Sequence, residues 1–135
     1  MAKPKKRDGL SDSNLLKLRR EAVHKHFNDC CFFCGQHKSQ VPLEDHHLVK
    51  RKNFLLRYDW RNGLLVCKYV CHNYAETPTG KAKIASYLKD ADLLDYLQER
   101  SGQCKDWFVS HGISRKDFMS QMYEDLKRKL NEPLF

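Results

Sequence analysis

Long apolar runs are missing from this 135-residue chain: the longest, Cys30 to Cys34 and Leu64 to Cys67, fall far short of the roughly 20 residues a membrane-spanning helix needs. No secretory signal opens it either, since MAKPKKRDG is charged and polar where an apolar stretch would stand. That absence predicts a reducing, cytoplasmic interior, where cysteines serve as metal ligands more often than as disulfides. The chain has no internal repeat and no low-complexity tract. Acidic residues are also short, 17 against 25 Lys and Arg, which leaves a net charge of +8 and favours an anionic partner, nucleic acid first. With 41% hydrophobic residues, the length predicts one modest core.

The positive charge is unevenly placed. Residues 1–26 hold eight Lys and Arg against three acids, a surplus of five, and residues 48–72 hold six against Asp59 alone, again a surplus of five. The first patch reads as a flexible basic arm over residues 1–12. The second sits among the Cys and His residues, where its field would draw a phosphate backbone toward them.

Periodicity predicts a helix capped by Ser11 or Ser13 that ends near Asn28-Asp29, with Leu15, Leu18, Ala22 and Val23 on its apolar side. A strand is expected within Val41–Val49, interrupted by Pro42, then a basic loop over 50–61 and a second short strand over Leu64–Cys67. A helix begins near Cys71 with a break near Pro78-Thr79-Gly80, and a longer one runs from Lys81 to Arg100, stopped by Gly102. Trp107 and Phe108 lie on a short segment closed by Gly112. Ser114 to Asp117 resembles a capping box opening a last helix with Phe118, Met122, Leu126 and Leu130 on one stripe. The domain is thus expected over 13–135, with its central portion at about 28–80 and a helical tail at about 81–132.

Cys31 and Cys34 form C-x2-C, and Cys67 and Cys71 form C-x3-C. Two such pairs suit a structural zinc held by four thiolates with no open coordination position. Gly35 after the first pair favours the tight turn that aims both sulfurs at one ion. Cys30 competes with Cys31, because Cys30 to Cys34 is also x3. Cys104, outside both pairs, reads as a small buried hydrophobe.

Between the pairs stand Glu44, Asp45, His46 and His47, then Asn62, with His72 directly after Cys71. A hard divalent cation takes oxygen and imidazole ligands with positions left for phosphate and water. Phosphodiester hydrolysis also needs a base near neutral pKa, the range in which His titrates. Neighbours on a strand face opposite sides, so His46 and His47 can divide the roles of ligand and base.

Taken together, C-x-x-C-G, EDHHL, RYDWRNGLLVC and CH over residues 31–72 resemble the HNH endonucleases of the zinc-bearing ββα-metal type. The resemblance implies an α+β fold with a ββα-metal core and a four-cysteine zinc site, flanked by an N-terminal helix and a helical tail. It implies a second ion, Mg2+ or Mn2+. By position, His47 matches the general base, His46 the preceding metal ligand, Asn62 the residue that braces the loop, and His72 the final ligand. A one-residue shift would make Asp45 the ligand and His46 the base; Leu48 after His47 and the fifteen residues from His47 to Asn62 favour the first register. The order of motifs is also similar to the NinG/Rap recombination nucleases of lambda-like phages, which implies branched DNA such as Holliday junctions as substrate. On that reading Lys50, Arg51, Lys52, Arg57 and Arg61 anchor phosphates, and the C-terminal helices offer a homodimer surface. The rivals are a sequence-recognising HNH nicking or homing enzyme, and a zinc module that binds nucleic acid without cutting it.

Overall fold

Ser11 starts the first helix, its hydroxyl accepting from the Asn14 N–H at 3.2 Å. In the computed structural model, which describes residues 11–133 apart from the side chains of 104–106, helices surround one small antiparallel sheet in an α+β arrangement. The expectations for the arm at residues 1–10 and for the Cys104 side chain lie outside the described residues. No helix among those described is long and apolar enough to cross a membrane.

Helix α1 covers Asp12–His26 and buries Leu15, Ala22 and Val23 together with a charged residue, Arg19. Strands β1 (Leu43–His47) and β2 (Gly63–Cys67) pair in the register Leu43 with Cys67 through His47 with Gly63. Pro42 stays outside β1, yet its carbonyl accepts from Lys68 N–H at 3.0 Å and closes that end of the hairpin.

The stretch expected as a plain loop over 50–61 carries structure of its own. Asn53 caps a one-turn helix, α2 (Phe54–Arg57), and Asp59 caps a 3-10 turn at Trp60–Asn62. Leu55, Leu56 and Tyr58 are thereby driven into the interior, so the basic segment is pinned at its centre.

Helix α3 (Cys71–Tyr74) is a single turn. Pro78-Thr79-Gly80 then opens a helix instead of breaking one, because Thr77 supplies the cap and Pro occupies the first turn, where no N–H is needed. The helix expected over Lys81–Arg100 is two, α4 (Pro78–Asp90) and α5 (Leu94–Ser101), separated where Asp92 takes a left-handed φ of 59°. Helix α6 spans Cys104–His111, and α7 spans Arg115–Leu130 with Ser114 accepting from Asp117 N–H at 3.1 Å.

Two apolar clusters result. One joins Leu64 and Val66 of β2 to Ala75, Ile84, Leu88 and Leu97 of the following helices. The other joins Leu15 and Ala22 of α1 to Phe118, Met122 and Leu126 of α7. The apolar stripe of α7 is thus covered by α1 within the same chain and builds core.

Where these layers meet, His26 donates from Nε2 to the Tyr87 hydroxyl at 3.1 Å and accepts at Nδ1 from Lys129 Nζ at 3.2 Å. Burial, and then the Lys129 charge, push its pKa from 6.5 down to about 4. The unfolded chain thus binds the proton first, and stability rises with pH through this window. The contribution is complete above about pH 6.5 and is lost as the pH falls toward 4. Urea midpoints should accordingly drop between pH 7 and pH 5, and His26→Gln should flatten the drop. Equal wild-type midpoints at the two values would refute the assignment.

Candidate active site and metal centre

The four cysteines converge. Sγ atoms of Cys31, Cys34, Cys67 and Cys71 all lie within 4.8 Å of one another. Four sulfurs at about 2.3 Å from one zinc stand about 3.8 Å apart, so the set fits that ion. Cys31 and Cys34 occupy a turn in which Gly35 takes a φ of +76° and Gly35 N–H donates to the Cys31 carbonyl at 2.9 Å. Phe33 and Cys34 N–H groups donate to Cys31 Sγ at 3.3 and 3.4 Å, which favours the thiolate and helps bring the Cys31 pKa down to about 7 against the opposing effect of burial. Burial pushes Cys67 and Cys71 the other way, Cys71 to about 11, so metal entry there displaces protons. Cys30 lies outside the cluster and donates its S–H to the Asn28 carbonyl at 3.3 Å, which settles the Cys30 ambiguity in favour of Cys31. The extra residue between Cys67 and Cys71 is absorbed in the turn from β2 into α3, where Tyr69 and Val70 project to solvent.

Cys71 also fixes its neighbour. His72, one residue into α3, brings its ring centroid 5.5 Å from that of His46 on β1, edge to face. Strand alternation places Glu44 on the same face as His46, and the Glu44 carboxylate lies against His72 Nδ1. Glu76 Oε2 stands 3.8 Å from His46 Nε2. Burial leads the effects that lower the His46 pKa and keep the ring neutral. Two imidazoles and two carboxylates thus gather at one face of the hairpin, His72 with Glu44 and His46 with Glu76. This donor set suits a divalent cation that keeps water and phosphate among its ligands. Among the described residues, the four cysteines are the group whose ligand atoms have the spacing of a metal site, and the histidine cluster is not such a group as it stands.

His47 ends β1. Its Nε2 lies 3.1 Å from the Arg57 carbonyl, which can only accept, so the proton is on Nε2 and Nδ1 keeps its lone pair. Burial, followed by the charge of Arg19, pushes the ring down to about 4, and it is neutral at pH 7. His46 and His47 line one cavity of about 440 Å3, walled by Ile84, Leu88 and Leu97 and carrying Lys50 and Lys81.

Asp45 is turned away from this cluster. It pairs with Arg19 across the opposite face of the hairpin, so the structure does not bring it together with His46 and His72. Arg19 is fully buried and donates from Nε to the Asp59 carbonyl at 3.0 Å and from Nη2 to the Asn62 carbonyl at 2.7 Å. Gly63 is required beneath it, because a Cβ there would stand 2.8 Å from Arg19 Nη2. Asn62, also fully buried, braces the loop: Oδ1 accepts from Val49 N–H at 2.7 Å, and Nδ2 donates to the Val49 and Leu56 carbonyls at 2.9 and 3.1 Å.

The basic residues divide. Lys50, Arg51 and Lys52 are exposed. Arg57 forms a two-point pair with Asp12 at 2.8 and 2.9 Å. Arg61, expected on phosphate, is held by Asp59 and by both oxygens of Asp125 at 3.0 and 3.2 Å, so it serves the frame. Sequence reasoning gives no ligand role to Glu44 or Glu76; the two-residue step from Glu44 to His46 and the four-residue step from His72 to Glu76 are the signals that could find them. Comparison with protein-family models, curated proteins and solved structures gives no match.

Proposed function

We propose that this chain is a metal-dependent DNA endonuclease of the HNH type, framed by a structural zinc, with branched DNA as its preferred substrate. The observation that supports the reading is the gathering of His46, His72, Glu44 and Glu76 at one face of the hairpin, at a cavity that His46 shares with a neutral His47 oriented through Nε2.

His47 Nδ1 is the atom free to accept a proton from a water approaching the scissile phosphorus. The Arg57 carbonyl fixes the tautomer and the ring plane, and Asn62 holds Val49 and Leu56 so that the segment after His47 keeps its place. His46 and His72, with Glu44 or Glu76, would hold Mg2+ or Mn2+. Such an ion, when bound, would offset negative charge on the phosphate and on the departing 3′ oxygen. Lys50, at the same cavity, is placed to meet a neighbouring phosphate.

The test compares a labelled four-way junction with a linear duplex of the same sequence, in Mg2+, in Mn2+ and without divalent metal. His47→Ala should lower cleavage by about 10^2 to 10^4, the usual contribution of a positioned general base, while leaving DNA binding in place. Undiminished cutting by the variant would overturn the role of His47. Absence of any metal-dependent cutting by the wild-type chain would overturn the nuclease reading, and equal cutting of both substrates would remove only the preference for branches.

A further inference from the structure

A second basic surface, formed by parts of the chain far apart in sequence, lies outside the histidine cluster. Arg51, Lys52 and Arg57 from the segment after β1 and Arg115 from the first turn of α7 line one groove of about 650 Å3, together with Phe54 and Tyr58. Its one acid, Asp12, is already engaged: both carboxylate oxygens accept from Arg57, and the Tyr58 hydroxyl donates to Oδ1 at 2.6 Å. Arg51, Lys52 and Arg115 are exposed and, among the described residues, form no ion pair. Three uncompensated positive charges therefore face a concavity, which focuses their field.

Arg115 is also held in position. Its guanidinium lies 4.5 Å from the centroid of Phe54 and 5.9 Å from that of Phe108. A cation–π contact of this kind holds the guanidinium near the rings while its N–H donors can still reach phosphate oxygens. The groove is tied to the candidate active site through single residues. Arg57 orients His47 with its carbonyl and walls the groove with its side chain. Lys50 lines the cavity of His46 and His47, and the next two residues line the groove.

We propose that this groove is a second phosphate-backbone site, which takes the strand of DNA continuing past the scissile position and adds Arg115 of α7 to the binding surface. The inference rests on the DNA reading above but not on catalysis. Phosphate contacts of this kind confer register and affinity without base specificity, as selection of a branched shape over a sequence requires.

The test is fluorescence anisotropy of the full-length, zinc-loaded chain with labelled duplex and four-way-junction DNA across a salt series, without added Mg2+ or Mn2+. Arg115→Gln and Lys52→Gln should each weaken binding and reduce the slope of log K against log salt by about 0.9, the share of a single neutralised phosphate. Arg115→Lys retains the charge, so it should recover most of the slope. Slopes unchanged in both Gln variants overturn the proposal, as does a weakening in Arg115→Gln that Arg115→Lys fails to recover, since that pattern marks packing on Phe54. Because no cleavage is measured, a chain that binds through the groove and cuts nothing keeps this inference while losing the nuclease reading. A chain that cuts DNA with wild-type slopes in the variants does the reverse.

Discussion

Substituting Cys67 with serine, or stripping the metal with a strong chelator, should unfold the hairpin and the helices that follow it. Cys67 ends β2, Cys71 begins α3, and Cys31 and Cys34 sit in the turn whose Phe32 N–H donates to the Leu65 carbonyl at 2.7 Å. An ion held by the four thiolates would therefore join three segments. Apparent zinc-binding energies in small all-protein sites are about 10–16 kcal/mol at pH 7, comparable with the entire stability of a domain, about 5–15 kcal/mol. The expected readouts are one zinc per chain by metal analysis and loss of a cooperative melt in Cys67→Ser. Cys30→Ser is the control: it should keep the full zinc content, because Cys30 bonds to the Asn28 carbonyl and not to the cluster. A folded, cooperative chain without zinc would refute the claim. His72 follows Cys71 directly, so metal loss should also disperse the histidine cluster.

Arg19→Met should be the most damaging single change away from the four cysteines. Arg19 is fully buried, spans from α1 to the Asp59 and Asn62 carbonyls, and is the partner of Asp45. Methionine fills much of the volume and supplies none of the donors. The Asp59 and Asn62 carbonyls would each lose one hydrogen bond while keeping those from Asn62 N–H and Leu48 N–H, and Asp45, whose Oδ1 already has no hydrogen bond, would remain as an uncompensated buried charge. Removing one member of a buried ion pair costs about 3–5 kcal/mol. Chemical denaturation should show a loss of that size, and the double variant Arg19→Met with Asp45→Leu should regain a substantial part of it, since replacing both members with apolar groups is often close to neutral. A single-variant loss below about 1 kcal/mol, the range of an exposed pair, would show that Arg19 is not the keystone described.

The pairing of Arg19 with Asp45 also shows where sequence reading ends. Glu44, Asp45, His46 and His47 are consecutive, and their order alone allows two registers for ligand and base. Strand alternation already separates Asp45 and His47 from Glu44 and His46, but it does not say which face looks at His72. That depends on what covers the other face, and the answer is a helix 26 residues upstream whose Arg19 claims Asp45. The basic residues behave alike. Lys50, Arg51, Lys52, Arg57 and Arg61 are equivalent as a charge count, yet Asp12 and Asp125 remove two of them from service, and Arg115 joins from a helix whose sequence reads chiefly as core.

Helix caps at Ser11 and Ser114, the second short strand and the cysteine pairs are legible because each depends on neighbours within a few residues: a hydroxyl three positions before an N–H, a short apolar run after a glycine, a thiol spacing. The split of the long helix at Asp92 is not, since the residues on either side keep helical periodicity and only the packing of Leu93 and Leu94 against the first cluster requires the turn. Local chemistry in the sequence thus determined which residues could bind metal and where the chain would coil or extend. The tertiary structure decided which donors meet and which charges remain free, because those choices depend on buried partners supplied from distant segments, and burial makes an unpaired charge too costly to leave open.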